Sequence, residues 1–157
     1  MTQAYQLAQA NIARTRAALD DPLMQGFVEQ LEPINRLADD SPGFVWRLQT
    51  EEGDATSIQL FEDARIIVNL SVWESFETLK TFVYSGAHLQ VLREKKSWME
   101  QLDTPSLVLW WVPAGHRPSP AEARQVLARL EQLGPSAAAF TFAKPYPLSA
   151  LLESTGT

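Results

Sequence analysis

The chain has no cysteine and almost no histidine, and these absences exclude several kinds of site. None of its 157 residues is Cys. Disulfides, thiolate nucleophiles and cysteine-held zinc or iron–sulfur centres are therefore excluded. The two histidines, His88 and His116, have no carboxylate partner at a metal-ligand spacing. We therefore predict no metal site, and we read His116 as part of an exposed loop.

Basic charge is scarce, and no apolar run is long. There are 13 Lys and Arg against 19 Asp and Glu, which gives a net charge of −6. Nucleic-acid binding needs clustered cations, and the one short cluster, Arg93 with Lys95 and Lys96, is typical of a solvated helix face. No stretch approaches the ~20 apolar residues of a membrane span, and the first residues lack a signal-peptide pattern. We predict a soluble, cytoplasmic protein without nucleic-acid or membrane partners.

The sequence does contain a regular alternation of strand and helix patterns that fits one domain. Its 45% hydrophobic and 20% charged residues are ordinary for a globular protein. We expect a single domain over 1–157, with its core at about 4–113 and a C-terminal helix and tail at 119–157. The predicted strands are 4–13, 44–49, 66–73 and 107–112, with a further short strand at 139–142.

Clear start and stop signals mark the first and the last predicted helix. Asp20-Asp21-Pro22 supplies a capping carboxylate followed by a proline that fits the first turn. Pro33 is expected to kink or break this helix. The last helix begins at Ser119-Pro120-Ala121-Glu122, which combines a cap, an N1 proline and a capping-box glutamate. Gly134-Pro135 ends it.

The middle helical region gives the order of elements that defines the fold. Residues 76–100 are predicted to be helical in two pieces, interrupted near Ser85-Gly86. Ser75 is the candidate cap, and we expect no full capping box because Thr78 stands where glutamate would. The resulting order, β-α-β-β-α-β with an extra C-terminal helix, predicts an α+β protomer of the ferredoxin-like type, with helices on one face of an antiparallel sheet.

Side-chain alternation predicts one apolar and one mixed sheet face. Ile66, Val68, Leu70 and Val72 form a wholly apolar face, which suits packing under helices. The other face combines polar and large apolar side chains, and 107–112 is apolar on both faces. We therefore expect the mixed face to lie away from the helices and to pack against a second protomer, so that a homodimer encloses a polar-lined cavity. The mixed face comprises Tyr5, Leu7, Gln9, Asn11, Arg47, Gln49, Ile67, Asn69, Ser71 and Trp73.

Several stretches together resemble the motifs of a known family. They are Asp20–Pro22, Pro42–Leu48, Val72–Ser75, Leu79, Phe82–Tyr84, His88, Trp98 and Leu107–His116. Spread from about residue 4 to about residue 147, they are similar to the DUF3291 family of small bacterial proteins of unknown function. That family is similar in turn to the dimeric α+β barrel superfamily, which includes antibiotic-biosynthesis and haem-degrading monooxygenases. The resemblance implies a ferredoxin-like protomer in a two-sheet dimeric barrel, and it leaves the activity open because fold does not fix function.

The resemblance implies a haem site as one alternative. Haem-degrading members of the superfamily use an asparagine on the first strand, a tryptophan near the end of the third and a helical histidine as iron ligand. Asn11, Trp73 and His88 are the matching residues. The 15 positions from Trp73 to His88 exceed the spacing expected for that motif, so haem is an alternative and our main expectation is no cofactor.

A cofactor-independent, monooxygenase-like enzyme acting on a hydrophobic small molecule is the main functional hypothesis. Such an enzyme holds an activated substrate whose own carbanion reacts with oxygen, and the protein supplies a base, a donor for developing negative charge and aromatic walls. His88 is the candidate base and, with Asn11 and Trp73, the candidate catalytic set. A dimer that binds a small molecule without turnover is the open alternative. The substrate-binding candidates are Arg47, Asn69, Ser71 and Tyr84.

Overall fold

The computed structural model describes residues 4–49, 65–86, 89, 94, 97–102 and 104–155. In these ranges a five-stranded antiparallel sheet carries helices on both faces. The strands are β1 (Tyr5–Thr15), β2 (Phe44–Arg47), β3 (Ile66–Trp73), β4 (Met99–Glu100) and β5 (Leu107–Pro113). The helices are α1 (Gln25–Asp39), preceded by a 3-10 turn at Pro22–Met24, then α2 (Phe76–Val83), α3 (Pro120–Leu133) and α4 (Leu148–Thr155).

Strand β1 lies at the centre of the sheet and organises it. It pairs along one edge with β3 and along the other with β5 and the short β4. Strand β2 pairs with β3 at the sheet's edge. Leaving out β4, the order β2-β3-β1-β5 with α1 and α2 as crossovers is the ferredoxin-like arrangement, so the predicted fold class is confirmed. Residues 139–142 form no strand, since they make only isolated bridges, from Phe140 to Leu109 and from Ala139 to Ser136.

Helix starts follow the sequence signals, with two corrections. Asp21 accepts a hydrogen bond from Leu23 N and caps the first turn. Pro33 lies inside α1, which continues to its end at Asp39, so the proline does not break the helix. The capping box on α2 is present, because the Thr78 hydroxyl accepts from Ser75 N while Ser75 Oγ accepts from Thr78 N. The prediction that it would be absent was wrong, since a threonine hydroxyl at this position replaces the usual carboxylate.

Helix α3 covers the wholly apolar face of the sheet. Its buried residues Ala123, Leu127 and Leu130 form one core cluster with the apolar side chains of three strands. Ser119 caps the helix through Glu122 N, and Gly134, at φ 75°, ends it. Trp110 on the same face donates its ring N–H to Glu122 Oε2 at 3.0 Å. The buried strand residues in this cluster are Ala8, Ala10, Ile12, Val68, Leu70, Val72, Val108, Trp110 and Val112.

The mixed face lies under α1 and α2, so the expectation that it lies away from the helices was wrong. Ala38 of α1 and Leu79 of α2 pack with Leu7 and Trp73 on this face. At the other end, Phe27 of α1 packs in a cluster with residues of β1 and β3. Alternation separates the two faces correctly, but it does not say which helix covers which face. The apolar face takes the extra helix α3, and both crossover helices take the mixed face.

A β-bulge in β2 changes the faces of its first residues. Phe44 pairs with Trp73, whereas Trp46, two residues on, pairs with Val72. Simple alternation would place Phe44 and Trp46 on one face, but the extra residue turns Phe44 to the mixed face and leaves Trp46 against the apolar cluster. Gly43, at φ 83°, precedes the bulge, and a Cβ there would lie 2.4 Å from Thr78. The bulge thus brings an aromatic ring beside Trp73.

Candidate functional site

A cavity of about 330 Å³ lies between the mixed sheet face and α1, and we call it the sheet–helix cavity. Strands β1 and β3 provide its polar floor, and α1 and α2 provide apolar walls. The volume is at the lower end of the range of small-molecule sites, which are mostly apolar clefts with a few placed polar groups. The floor residues are Gln9, Asn11, Asn69 and Ser71, and the apolar walls include Phe27, Leu31, Ile34, Phe82 and Val83.

A hydrogen-bonded network of four side chains forms the centre of the floor. Gln9 and Ser71 are paired across β1 and β3, as are Asn11 and Asn69. Gln9 Nε2 donates to Asn69 Oδ1 and to Ser71 Oγ, both at 2.7 Å. Trp73 Nε1 donates to the same Ser71 Oγ at 2.9 Å. Gln9 and Ser71 are 5% and 6% exposed, so these bonds satisfy polar groups that would otherwise be costly to bury.

The network leaves hydrogen-bonding capacity at the cavity. Ser71 Oγ accepts two bonds and keeps its own O–H donor, while Asn69 accepts through Oδ1 and keeps its two N–H donors. Asn11 is half-buried, and its side chain bonds to no other residue of the described part of the chain. Asn69 is exposed, which places the open side of the cavity at that residue. The floor can therefore both donate to and accept from a bound molecule.

Trp73 is held as an aromatic wall. It is 1% exposed, its ring stacks on Phe82 at a centroid distance of 5.1 Å, and Phe44 meets it edge-on at 5.5 Å. Such pairs add rigidity beyond the apolar area that they bury. Trp73 therefore lines the sheet–helix cavity beside Ser71, with its indole fully buried and its ring N–H bonded.

Arg47 reaches the edge of the cavity as half of an ion pair. Its Nε donates to Asp39 Oδ1 at 2.8 Å and its Nη2 to Asp39 Oδ2 at 3.3 Å, so the contact is bidentate. The Arg47 side chain is 12% exposed and that of Asp39 41%. The pair joins the last residue of α1 to β2 and directs the guanidinium along the cavity rim.

Of the predicted site residues, Tyr84 lies away from the cavity, and His88 is outside the described part of the chain. His88, the proposed base, falls outside the described residues, as does most of the predicted loop at 50–65. Tyr84 is 54% exposed, and its ring meets Phe142 edge-on at 6.2 Å. Phe142 lines the sheet–helix cavity and Tyr84 does not. The structure therefore brings together Asn11, Arg47, Asn69, Ser71 and Trp73, all on the mixed face.

Sequence reasoning missed the role of Gln9 and the contribution of α1. Gln9 was on the predicted mixed face, but the strand register that pairs it with Ser71 is seen only in the structure. The helical spacing of Phe27, Leu31 and Ile34 indicated a buried stripe, but it did not show that a cavity separates part of that stripe from the sheet. Gln30, also on α1, gave no signal.

The described lining fits haem poorly. Met99 is the one side chain in it of a type that ligates haem iron. Arg47 is the one cation in it, and this residue is already bonded to Asp39. The iron ligand of the haem hypothesis, His88, lies outside the described residues. We therefore derive no chemical step through haem.

Neither a metal cluster nor a membrane span is found in the described ranges. No group of three or more His, Cys, Asp or Glu side chains there is placed to hold a metal ion. None of the helices in those ranges combines the length and apolar character needed to cross a bilayer.

The chain matches one family model and several distantly similar solved structures. The model described as "Domain of unknown function (DUF3291)" matches residues 6–155. No curated protein matches the sequence. Three solved structures illustrate the structural similarity. Rv0793 from Mycobacterium tuberculosis is 10% identical, with 73% of this chain and 99% of that one covered and a TM-score of 0.49.

The other two structures carry names that mention oxygenation. A protein of Nitrosomonas europaea provisionally named an antibiotic biosynthesis monooxygenase is 10% identical, with 76% of this chain and 98% of that one covered and a TM-score of 0.48. A variant of SnoaB, a cofactor-independent oxygenase from Streptomyces nogalater, is 12% identical, with 71% and 94% covered and a TM-score of 0.45. At these values the similarity carries no argument about activity.

Proposed function

The chain belongs to the DUF3291 family, a domain of unknown function, and from this premise we propose that it binds a hydrophobic small molecule carrying a polar group. The observation that supports this function is the sheet–helix cavity itself. Apolar side chains of α1 and α2 face a floor of amide and hydroxyl groups across about 330 Å³. Small-molecule sites are usually mostly apolar cavities with a few placed polar groups, and this cavity has that form.

The polar side chains of the cavity floor are the stronger support for ligand binding. A sheet face that served only for packing would be apolar, as the opposite face is. Here Gln9 and Ser71 are buried and bonded to each other, and Asn11 and Asn69 stand beside them with unused donors. Buried polar groups cost free energy unless they are hydrogen-bonded. The placement of these four floor side chains under α1 favours recognition of a ligand's polar group.

A matched pair of variants on α1 tests the proposal. A panel of one- to three-ring compounds with hydroxyl, carboxamide or carboxylate groups is screened by calorimetry against the wild type, Leu31→Trp and Leu37→Trp. Leu31 lines the cavity, and Leu37 is exposed on the same helix. We expect Leu31→Trp to weaken binding at least tenfold by filling the space and Leu37→Trp to leave it unchanged. Absence of any ligand, or equal weakening by both variants, would contradict the proposal.

Oxygenation of the bound molecule is the second candidate function, and the unused donors favour it. The Ser71 hydroxyl and the Asn69 amide are suited to stabilise negative charge that develops on a substrate oxygen. Arg47 is the one ionisable side chain in the described lining, so a base would come from outside that lining, and His88 is the candidate. Oxygen uptake with an activated phenol, lost in His88→Ala, would support this function. Uptake unchanged by His88→Ala would remove the role of that residue.

A homodimer stays a prediction, and it is no longer needed to cover the sheet. The mixed face is covered by α1 and α2, and the apolar face by α3. Size-exclusion chromatography with light scattering distinguishes a 17.6 kDa monomer from a species of twice that mass.

A further inference from the structure

The charge of the cavity wall restricts the ligand. Among the described residues that line the sheet–helix cavity, Arg47 is the one ionisable side chain. Two of its N–H groups bond to both oxygens of Asp39, which neutralises its charge. Among the described lining residues, a carboxylate or phosphate entering the cavity would lose its hydration and meet no cation except Arg47, which is bonded to Asp39. Burying an unpaired charge is far more costly than burying a neutral polar group.

Gln30 provides the second, independent restriction. Gln30 is one of the residues that line the cavity, and its Oε1 is a buried acceptor to which no described group donates. The orientation of the amide is fixed, because Gln30 Nε2 donates to Glu94 Oε2 at 2.8 Å and a carboxylate only accepts. An unpaired buried carbonyl is costly and calls for a donor. A ligand N–H or O–H group would supply it, and a carboxylate would not.

From these two restrictions, and resting on the proposed function, we propose that the ligand is uncharged and carries an N–H or O–H donor, as a carboxamide or an alcohol does. The donor bonds to Gln30 Oε1. The free N–H groups of Asn69 and the Ser71 hydroxyl bond to acceptor atoms of the same ligand. Arg47 is paired with Asp39, so this pair offers no free cation to an acid and selects against it.

Three probes on one ring system test the proposal: naphthalene-2-carboxamide, its N,N-dimethyl derivative and naphthalene-2-carboxylate. They have the same aromatic core and differ in donor and charge. We expect the carboxamide to bind at least about tenfold tighter than either of the others, since each loses or misplaces a buried hydrogen bond. Calorimetry at one pH and salt concentration gives the three affinities.

Single variants test which side chains cause the preference for the carboxamide. Gln30→Leu, with Gln30→Met as a second variant should the first fold poorly, is expected to erase the preference for the carboxamide over its dimethyl derivative. Gln25→Leu, an exposed glutamine on the same helix, is expected to leave it intact. Asp39→Asn is expected to raise the affinity for the carboxylate.

The outcomes separate the two proposals. Binding of the carboxylate as tightly as the carboxamide in the wild type would overturn this inference while the cavity remains a binding site. A preference unchanged by both Gln30 variants would do the same. If neither these probes nor any member of the wider panel binds, the proposed function itself fails.

Discussion

The two faces of the sheet come from the same three strands and are built in opposite ways. On one face Leu70, Val72 and their neighbours pack against α3 with almost no exposure. On the other, Ser71 and Asn69 alternate with them along β3 and form the floor of a cavity under α1. The apolar face follows the rule for a close-packed core. The mixed face departs from it, and such departures concentrate at functional sites.

Three consecutive residues of β3 allow the comparison to be tested within one strand, because Leu70 belongs to the apolar face while Asn69 and Ser71 belong to the mixed face. Truncation of each side chain to alanine removes a different kind of contact. The expected losses of stability fall in the order Leu70, Ser71, Asn69.

Leu70→Ala is expected to give the largest effect. Leu70 is 1% exposed within the apolar cluster, and truncation of such a leucine costs about 3 kcal/mol from lost burial and the cavity left behind. Urea denaturation with an unchanged m-value measures the loss. A cost below about 1 kcal/mol would mean that the face under α3 is not close-packed.

Ser71→Ala is expected to cost about 1–3 kcal/mol, because it leaves the Trp73 ring N–H and one Gln9 N–H without their acceptor. Trp73→Phe removes one of these donors, so the double variant should lose less than the sum of the two single variants. Additive losses in the double-mutant cycle would contradict the shared hydrogen bond.

Asn69→Ala is expected to change stability by less than about 0.5 kcal/mol, since the residue is exposed at the open side of the cavity. Its effect should instead be on ligand affinity, measured by the same calorimetry as the naphthalene probes. A large loss of stability with unchanged affinity would assign Asn69 to the structure of the sheet rather than to the site.

The sequence was sufficient to predict what depends on local periodicity. Residues 66–73 have the bounds of β3, and alternation placed Asn11, Asn69, Ser71 and Trp73 on one face because side chains of a strand point alternately to its two sides. The order of elements then predicted the ferredoxin-like topology, which the paired strands confirm.

What the sequence did not predict depends on contacts between distant elements. Which helices cover which face follows from tertiary packing, so the mixed face was predicted on the wrong side of the sheet relative to α1 and α2. The bulge that turns Phe44 towards Trp73 depends on pairing with β3. The candidate site was predicted in part: its floor followed from alternation, whereas Gln30 on α1 is recognisable only by the burial and partners of its amide.

Fluorine NMR of the protein labelled with 5-fluorotryptophan can show whether a ligand binds under α1. Trp73 and Trp98 line the sheet–helix cavity, whereas Trp110 lies on the opposite face of the sheet. On titration with naphthalene-2-carboxamide, with resonances assigned by single Trp→Phe variants, we predict that the signals of Trp73 and Trp98 shift and that of Trp110 does not. Saturable binding that shifts Trp110 and leaves Trp73 and Trp98 unchanged would contradict a ligand site under α1.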